Sequence, residues 1–168
     1  SGAIVRQRKN RLTRYEREVW NLQPGGGLAT TSGDFGVLVC YDSEFPEAAR
    51  AQAERGVRVL AVPAFTETVR GYQRVRWCCL ARAIENQIFV VHASLTGSLG
   101  GEPVPGAVGS SAVIAPSTEP FPESAVLAET GWNEEGLAIA DLDFEGLDLS
   151  RREGTVRPWA ERNDHPWT

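Results

Sequence analysis

The order of apolar and amphipathic segments in this chain predicts an α/β fold. Three short apolar runs, at residues 35–40, 57–62 and 88–93, alternate with two segments of helical composition at 46–55 and 72–87. Short runs without polar alternation are typical of strands buried on both faces. Strand and helix in alternation is typical of parallel strands joined by right-handed crossovers. We therefore expect a parallel sheet covered by helices.

Start and stop signals support the two helices. Residues 46–55 are rich in Ala, Glu, Arg and Gln, begin with a proline at the position that needs no N–H donor, and are followed by Gly56. Residues 72–87 carry apolar side chains at spacings of three and four, which predicts an amphipathic helix. These side chains are Tyr72, Val75, Cys79 and Ala83.

The second half of the chain has a different pattern. Residues 95–109 contain five glycines and two prolines, which predicts a long loop, and long loops in compact domains are more often functional than idle. Three β segments are predicted after it, at 111–115, 125–129 and 137–142, separated by turn residues. Their order favours a meander at one edge of the sheet.

The two ends of the chain are polar. Residues 1–24 are basic with scattered apolar anchors, and we expect them to supply side chains to a site more than to the core. From Arg151 onward, two tryptophans and two prolines stand in a polar context, which predicts an arm that packs on another surface. We expect one domain over residues 1–168, with a C-terminal arm at 151–168.

Composition argues against several classes of function. The net charge is −5 and the basic residues are spread along the chain, so no nucleic-acid partner is expected. The longest apolar stretches are about seven residues, against the ~20 of a membrane helix, so no membrane partner is expected. Three cysteines, two of them adjacent, and isolated His92 and His165 predict no disulfide framework, no metal site and no cofactor. A reducing cytoplasm fits this pattern best.

Cys40 is the candidate nucleophile. It ends an apolar strand and is followed by a turn rich in carboxylates, at the strand end where open α/β folds place their chemistry. A structural role is the alternative, because free cysteine usually behaves as a small buried hydrophobe. Cys78 and Cys79 lie within an apolar helical pattern and are expected in the core. Lys9 is the chain's single lysine, and its compact ammonium is not interchangeable with the arginines around it.

Four blocks, in order along the chain, resemble motifs of the nitrilase (carbon–nitrogen hydrolase) superfamily. They are the lysine block at 8–20, the nucleophile block Cys-Tyr-Asp-x-x-Phe-Pro-Glu at 40–47, the strand ending in Pro-Ala at 56–64, and the helix and strand at 77–97. The resemblance implies the family's α-β-β-α sandwich, in which two sheets face each other. It covers the C-terminal two thirds of the family's domain, so we expect an incomplete sandwich lacking its N-terminal portion.

The resemblance also implies a catalytic set. Cys40 would attack a carbonyl or nitrile carbon and form a thioester, releasing ammonia or an amine before water releases the acid. Lys9 and the backbone N–H of Tyr41 would stabilise the oxyanion. Glu16 best matches the carboxylate that orients the lysine and substrate, and Glu18 is a possible substitute. The expected substrate is a small amide, nitrile or N-carbamoyl compound.

Other residues receive supporting roles by the same resemblance. Asp42 and Glu47 are expected to shape the turn after Cys40. Phe65 and Trp77 are expected either to line a substrate pocket or to belong to the core. Family members tend to form homo-oligomers through the helix after the cysteine turn, so residues 46–55 and the C-terminal arm are the expected interface.

One member of the family's catalytic machinery has no match. The general-base glutamate stands well before the lysine motif, and residues 1–8 contain no carboxylate. Two alternatives therefore accompany the hydrolase hypothesis. The first is a catalytically incompetent fragment or assembly subunit of the same fold. The second is a cysteine protease-like enzyme using His92, which has no orienting carboxylate beside it in sequence.

Overall fold

A five-stranded mixed sheet with helices on both faces organises the protein. The computed structural model describes residues 4–29, 33–101 and 104–164. The helices are α1 Arg14–Glu18, α2 Pro46–Glu54, α3 Val69–Asn86, α4 Phe144–Glu153 and α5 Pro158–Glu161, with a 3-10 turn at Cys40–Glu44. The strands are β1 Phe35–Val37, β2 Val59–Ala64, β3 Phe89–Ser94, β4 Gly97–Gly101, β5 Val104–Ala107, β6 Ala112–Ile114 and β7 Val126–Glu129.

The sheet has the strand order β1-β2-β3-β6-β7. The first three strands pair in parallel and are joined by α2 and α3, as the alternating pattern predicts. β6 and β7 then add antiparallel to the edge beside β3. Because β1 and β2 are parallel neighbours, their carboxyl ends lie at the same edge of the sheet, and Cys40 follows the first of these ends.

The sheet buries side chains on both faces, because neighbouring residues of a strand point to opposite sides. Leu60 and Val90 belong to one core cluster, which also contains Ala49 and Ala53 of α2 and residues of α3 such as Val75. The opposite face holds a second cluster of four buried residues, Val59, Phe89, Ala115 and Leu147. Leu147 belongs to α4, so helices cover both sides of the sheet.

Two predicted elements of the second half are wrong. The segment predicted as a loop at 95–109 contains the antiparallel hairpin of β4 and β5, whose glycines at 97 and 100 take positive φ angles of 96° and 72°. The segment at 137–142 is not a strand. Its alternating apolar side chains do not face a core, since Leu137 is 87% exposed and Ile139 is 79% exposed. A strand needs a hydrogen-bonded neighbour as well as an alternating pattern.

The C-terminal segment contains helices that the sequence pattern did not indicate. The described part of the expected arm comprises the end of α4 and all of α5, and it folds back onto its own chain. Trp159 packs against the first core cluster, and its backbone N–H donates to Gln87 Oε1 at 3.3 Å. The arm's last residues, 165–168, lie outside the described range. Among the described residues, no helix is long and apolar enough to cross a membrane.

Candidate active site

The turn after β1 holds the candidate nucleophile in a strained backbone conformation. Cys40 begins the 3-10 turn with a φ of +50°, in the left-handed region that residues other than Gly, Asn and Asp seldom adopt. Its carbonyl accepts a hydrogen bond of 2.7 Å from Ser43 Oγ, which fixes the turn. Its half-buried Sγ lies 3.6 Å from the carbonyl oxygen of Phe65, just after β2. Strain of this kind concentrates where a side chain must be held at a site.

Asp42 connects this turn to the segment that carries Lys9. The Asp42 side chain is 1% exposed, and its carboxylate accepts backbone N–H donors from both segments. On the nucleophile side the donor is Val39, at 3.2 Å. On the lysine side the donors are Asn10 at 3.1 Å and Arg11 at 2.6 Å. Asp42 therefore links the two chain segments directly.

We expect Asp42→Ala to destabilise the protein by about 3 kcal/mol, because three backbone donors lose a charged acceptor in a largely buried setting. The comparison is Asp143→Ala, which removes the carboxylate that caps α4 through the Gly146 N–H at 2.8 Å. Loss of such a cap costs about 1 kcal/mol. Urea unfolding of the two variants measures the difference. Equal losses would mean that Asp42 acts as an ordinary turn residue.

Lys9 forms an ion pair with Glu16. The Lys9 Nζ lies 2.5 Å from Glu16 Oε1, and both side chains are largely buried, at 16% and 15% exposure. Glu16 is held in turn by a capping box at the start of α1, in which its Oε2 accepts the backbone N–H of Thr13 at 2.7 Å. Burial alone would raise the pKa of Glu16, but the hydrogen bonds from Lys9 and Thr13 outweigh it and the pKa is lowered. Glu16 is therefore a carboxylate at neutral pH.

The alternative carboxylate, Glu18, lies elsewhere. It pairs with Arg14 at 2.8 Å on the solvent face of α1, where the two side chains are 58% and 86% exposed. The backbone of Lys9 is fixed on its other side by the Gly25 N–H, which donates to the Lys9 carbonyl at 2.7 Å. A Cβ at Gly25 would lie 2.8 Å from Arg8 Cβ, so the glycine is needed for this approach.

A cavity of about 910 Å³ opens between these segments. Cys40, Lys9, Glu16 and Tyr41 all line it. Its apolar wall includes Tyr15, Trp20, Val39, Pro63, Ala64, Phe65, Val75 and Leu95. The volume and the lining are typical of a small-molecule site, in which apolar walls surround a few polar groups.

The two aromatic residues suggested for a pocket have different positions. Phe65 lines the cavity, and its carbonyl contacts the Cys40 thiol. Trp77 is not among the lining residues and is 62% exposed on α3. His92 is also absent from the lining: it is 1% exposed and stacks on Tyr72 at 5.7 Å. Burial, with a smaller effect of Arg76, lowers the pKa of His92 to about 4. The structure therefore does not pair His92 with Cys40.

Two arginines of α3 support this site. Arg82 donates to the carbonyl of Ser43 at 2.9 Å and pairs with Glu85 at 2.7 Å, tying the nucleophile turn to α3. Arg74 pairs with Glu44 at 3.2 Å on the cavity wall. Ser43 and Glu44 stand 39 and 30 residues before their arginines, and partners so far apart carry no local sequence signal. The Thr13-x-x-Glu16 spacing, in contrast, is a capping-box signature that could have located α1.

We expect iodoacetamide at pH 7.5 to modify Cys40 well before the other two cysteines. Burial raises the pKa of Cys78 and raises that of Cys79 to about 12, so both resist forming thiolates. Cys40 lines an open cavity instead. Peptide mapping by mass spectrometry measures the three rates, and Cys40→Ser should remove the fast phase. Modification of Cys78 at the rate of Cys40 would contradict this assignment.

The described residues include no group of three or more His, Cys, Asp or Glu side chains placed to hold a metal ion. What the cavity brings together is a thiol, an ammonium and a carboxylate. A thiol beside a fixed cation can act as a nucleophile toward a carbonyl-type carbon, with the cation stabilising the oxyanion.

A family model described as carbon-nitrogen hydrolase matches residues 2–152. The chain belongs to the carbon–nitrogen hydrolase family. Its relatives include a Bacillus subtilis protein named "Probable hydrolase YhcX", 38% identical over 165 residues, covering 96% of this chain and 32% of the relative. The crystal structure of Nit3 from Saccharomyces cerevisiae, titled a member of the nitrilase superfamily, has a TM-score of 0.70 and 31% identity, covering 87% of this chain and 51% of that one.

A third carbon–nitrogen hydrolase relative bears on the cysteine. It is a mutant amidase from Nesterenkonia sp. AN1, whose structure is titled as showing Michael addition of acrylamide at the active site cysteine. It is 30% identical with a TM-score of 0.60, covering 86% of this chain and 54% of that chain. The chain thus spans between a third and about half of the length of these relatives. The family and its α/β fold, expected from the motif order, are confirmed.

Proposed function

We propose that the protein hydrolyses a non-peptide carbon–nitrogen bond in a small amide, nitrile or N-carbamoyl compound through a thioester on Cys40. The observation that carries this proposal is the shared cavity, onto which the Cys40 thiol and the Lys9–Glu16 pair both open. Relatives named as amidases support it. A subunit without catalytic function would not need the strained φ at Cys40 or a largely buried lysine beside the cavity.

The first step is attack by the thiolate sulfur of Cys40 on the substrate's carbonyl or nitrile carbon. A base accepts the thiol proton, and negative charge then develops on the carbonyl oxygen or nitrile nitrogen. Lys9 Nζ and the backbone N–H of Tyr41 stabilise this charge, and one such donor is typically worth about 3 kcal/mol of barrier. Glu16 accepts from Lys9 and holds the ammonium in place. For an amide, the proton taken from the thiol passes to the nitrogen as the carbon–nitrogen bond breaks, and ammonia or an amine leaves. For a nitrile, one water molecule adds to the thioimidate and ammonia leaves, which gives the same thioester.

The second step regenerates the thiol. Water attacks the thioester carbon, the carbon–sulfur bond breaks, and a carboxylic acid leaves. The same cation and N–H stabilise the second oxyanion, because it forms at the same position. The apolar wall of the cavity, with Phe65 next to the thiol, is suited to the hydrocarbon part of the substrate.

The test is turnover by the full-length natural protein. Short aliphatic amides, the matching nitriles and N-carbamoyl amines are assayed for release of ammonia or amine. Acid quenching followed by mass spectrometry detects an acyl group on the Cys40 peptide. Release of product with a Cys40 thioester supports the proposal. Turnover of none of the three classes contradicts it.

A further inference from the structure

The charges that line the cavity are unevenly matched. Two cations, Lys9 and Arg74, and three carboxylates, Glu16, Glu44 and Glu67, line it. Lys9 pairs with Glu16 and Arg74 pairs with Glu44. Across residues 4–29, 33–101 and 104–164, Glu67 has no ion-pair partner within 4.0 Å. The cavity therefore carries one carboxylate more than its cations neutralise.

Arg74 is poorly placed to attract an anion. Its Nε contacts both carboxylate oxygens of Glu44 at 3.2 Å. The Glu44 side chain is only 16% exposed, whereas that of Arg74 is 55% exposed. A substrate carboxylate on Arg74 would thus have to compete with Glu44 or leave a largely buried carboxylate without its cation, which is costly. Lys9 pairs with Glu16 and serves the oxyanion at the reacting end, so it is not placed to bind the distal group of the substrate.

Glu67 is held in position by both of its neighbours. Thr66 exchanges hydrogen bonds with Val108, donating from Oγ1 at 3.0 Å and accepting from the Val108 N–H at 2.9 Å. Thr68 caps α3 by accepting the Gly71 N–H at 3.1 Å. The Glu67 side chain is exposed between these anchors, on the loop that joins β2 to α3. Its backbone position is therefore fixed while its carboxylate is accessible.

This loop begins next to the nucleophile. Phe65 accepts from the Cys40 thiol, and Glu67 follows two residues later. Two residues span at most about 7 Å of chain. A ligand whose reacting carbon lies at Cys40 and whose other end extends along this wall therefore brings that end toward Glu67.

We propose that the cavity selects substrates whose distal end carries an ammonium or guanidinium group and disfavours those with a distal carboxylate, with Glu67 as the specificity-determining residue. This inference rests on the proposed function for the reaction at Cys40. The Glu67 carboxylate attracts a distal cation and repels a distal anion, while a distal anion at Arg74 would have to compete with Glu44. Glu67 acts on the choice of substrate and not on the bond-breaking step.

Three amides of similar length test the proposal: 5-aminopentanamide with a cationic end, hexanamide with a neutral end, and glutaramate with an anionic end. Hexanamide is the reference, and the full-length natural protein is assayed. We expect kcat/KM to be about fivefold higher for 5-aminopentanamide and about fivefold lower for glutaramate. Differences of this size are typical of a single exposed charge contact. Glu67→Gln should bring the three values within about twofold.

The control variant is Glu123→Gln, which removes an exposed carboxylate outside the cavity lining and should keep the wild-type order. Glutaramate hydrolysed as fast as 5-aminopentanamide, or an order unchanged by Glu67→Gln, would overturn the proposal.

A second measurement does not need turnover. Cationic 2-(trimethylammonium)ethyl and anionic 2-sulfonatoethyl methanethiosulfonate both react with a thiolate, which displaces methanesulfinate and forms a mixed disulfide. The rate ratio at Cys40, divided by that of a small free thiol, reports the charge of the cavity. We expect a ratio of about ten in favour of the cation, reduced by Glu67→Gln and by added salt. A ratio of one or less overturns charge selection. If no amide, nitrile or N-carbamoyl compound is hydrolysed, the proposed function fails, and this ratio still decides the inference on charge.

Discussion

Replacement of Cys40 by alanine is expected to lower kcat for amide hydrolysis by about a thousandfold or more. The variant removes the only atom at which the thioester can form, and loss of a nucleophile commonly leaves only residual catalysis from binding and oxyanion stabilisation. The measurement is ammonia release by the full-length natural protein, with quenched samples analysed for acylation. Alanine keeps the backbone at φ +50° in the same unfavourable region, so the site is changed at one atom without relief of strain.

The matched control for this variant is Cys78→Ala. Cys78 lies on α3, outside the cavity lining, and is expected to keep kcat within about twofold of wild type. Thermal unfolding of both variants verifies that each is folded. A Cys40→Ala protein that retains a tenth of wild-type activity would show that the thioester route is wrong, whether or not its thermal unfolding differs from wild type.

Replacement of Lys9 by methionine is expected to lower kcat/KM by about 10²- to 10³-fold, the usual effect of removing one oxyanion donor. Methionine has a similar length and no charge, so the change isolates the ammonium. Lys9→Arg is not expected to restore activity, because the planar guanidinium cannot take the place of a compact ammonium between Glu16 and the substrate. The measurement is kcat/KM on the best amide substrate, with the urea midpoint recorded alongside.

The structure offers a close control in the surface pair of Arg14 and Glu18 on the neighbouring helix. Arg14→Met also removes the cation of a Glu ion pair, but at 86% exposure, where such pairs contribute little. We expect Arg14→Met to leave kcat/KM within about twofold. If Lys9→Met and Arg14→Met have equal effects on kcat/KM, the proposed role of Lys9 in the oxyanion site is wrong.

The local signals in the sequence were sufficient for the parallel half of the fold. Uninterrupted apolar runs and a proline-led helix predicted β1, β2 and β3 and their crossovers, and the order of the motifs indicated the family. The β4–β5 hairpin was missed because a glycine-rich segment is compatible with both a loop and a strongly twisted pair of strands. The alternating pattern at 137–142 predicted a strand that is not formed, because alternation does not show that a neighbouring strand is available for hydrogen bonding.

The candidate site was predictable where chemistry is local and unpredictable where it depends on distant contacts. Cys40 and Lys9 were recognisable from their neighbours in sequence. The choice between Glu16 and Glu18 required the direction of each side chain on α1, which the structure gives. Phe65 directly follows β2 and Trp77 lies in the middle of α3, and only the packing of these elements places one in the cavity and the other in solvent.

The buried carboxylate of Asp42 has a further consequence for the precision of the site. The nucleophile turn and the lysine segment come from parts of the chain about 30 residues apart, yet both are hydrogen-bonded to this one side chain. Thermal displacement of either segment is therefore transmitted to the other, and the two move as one body. The distance between the Cys40 sulfur and the Lys9 ammonium should then fluctuate less than the position of either group relative to the sheet. Stabilisation of an oxyanion that forms between the two groups depends on this distance.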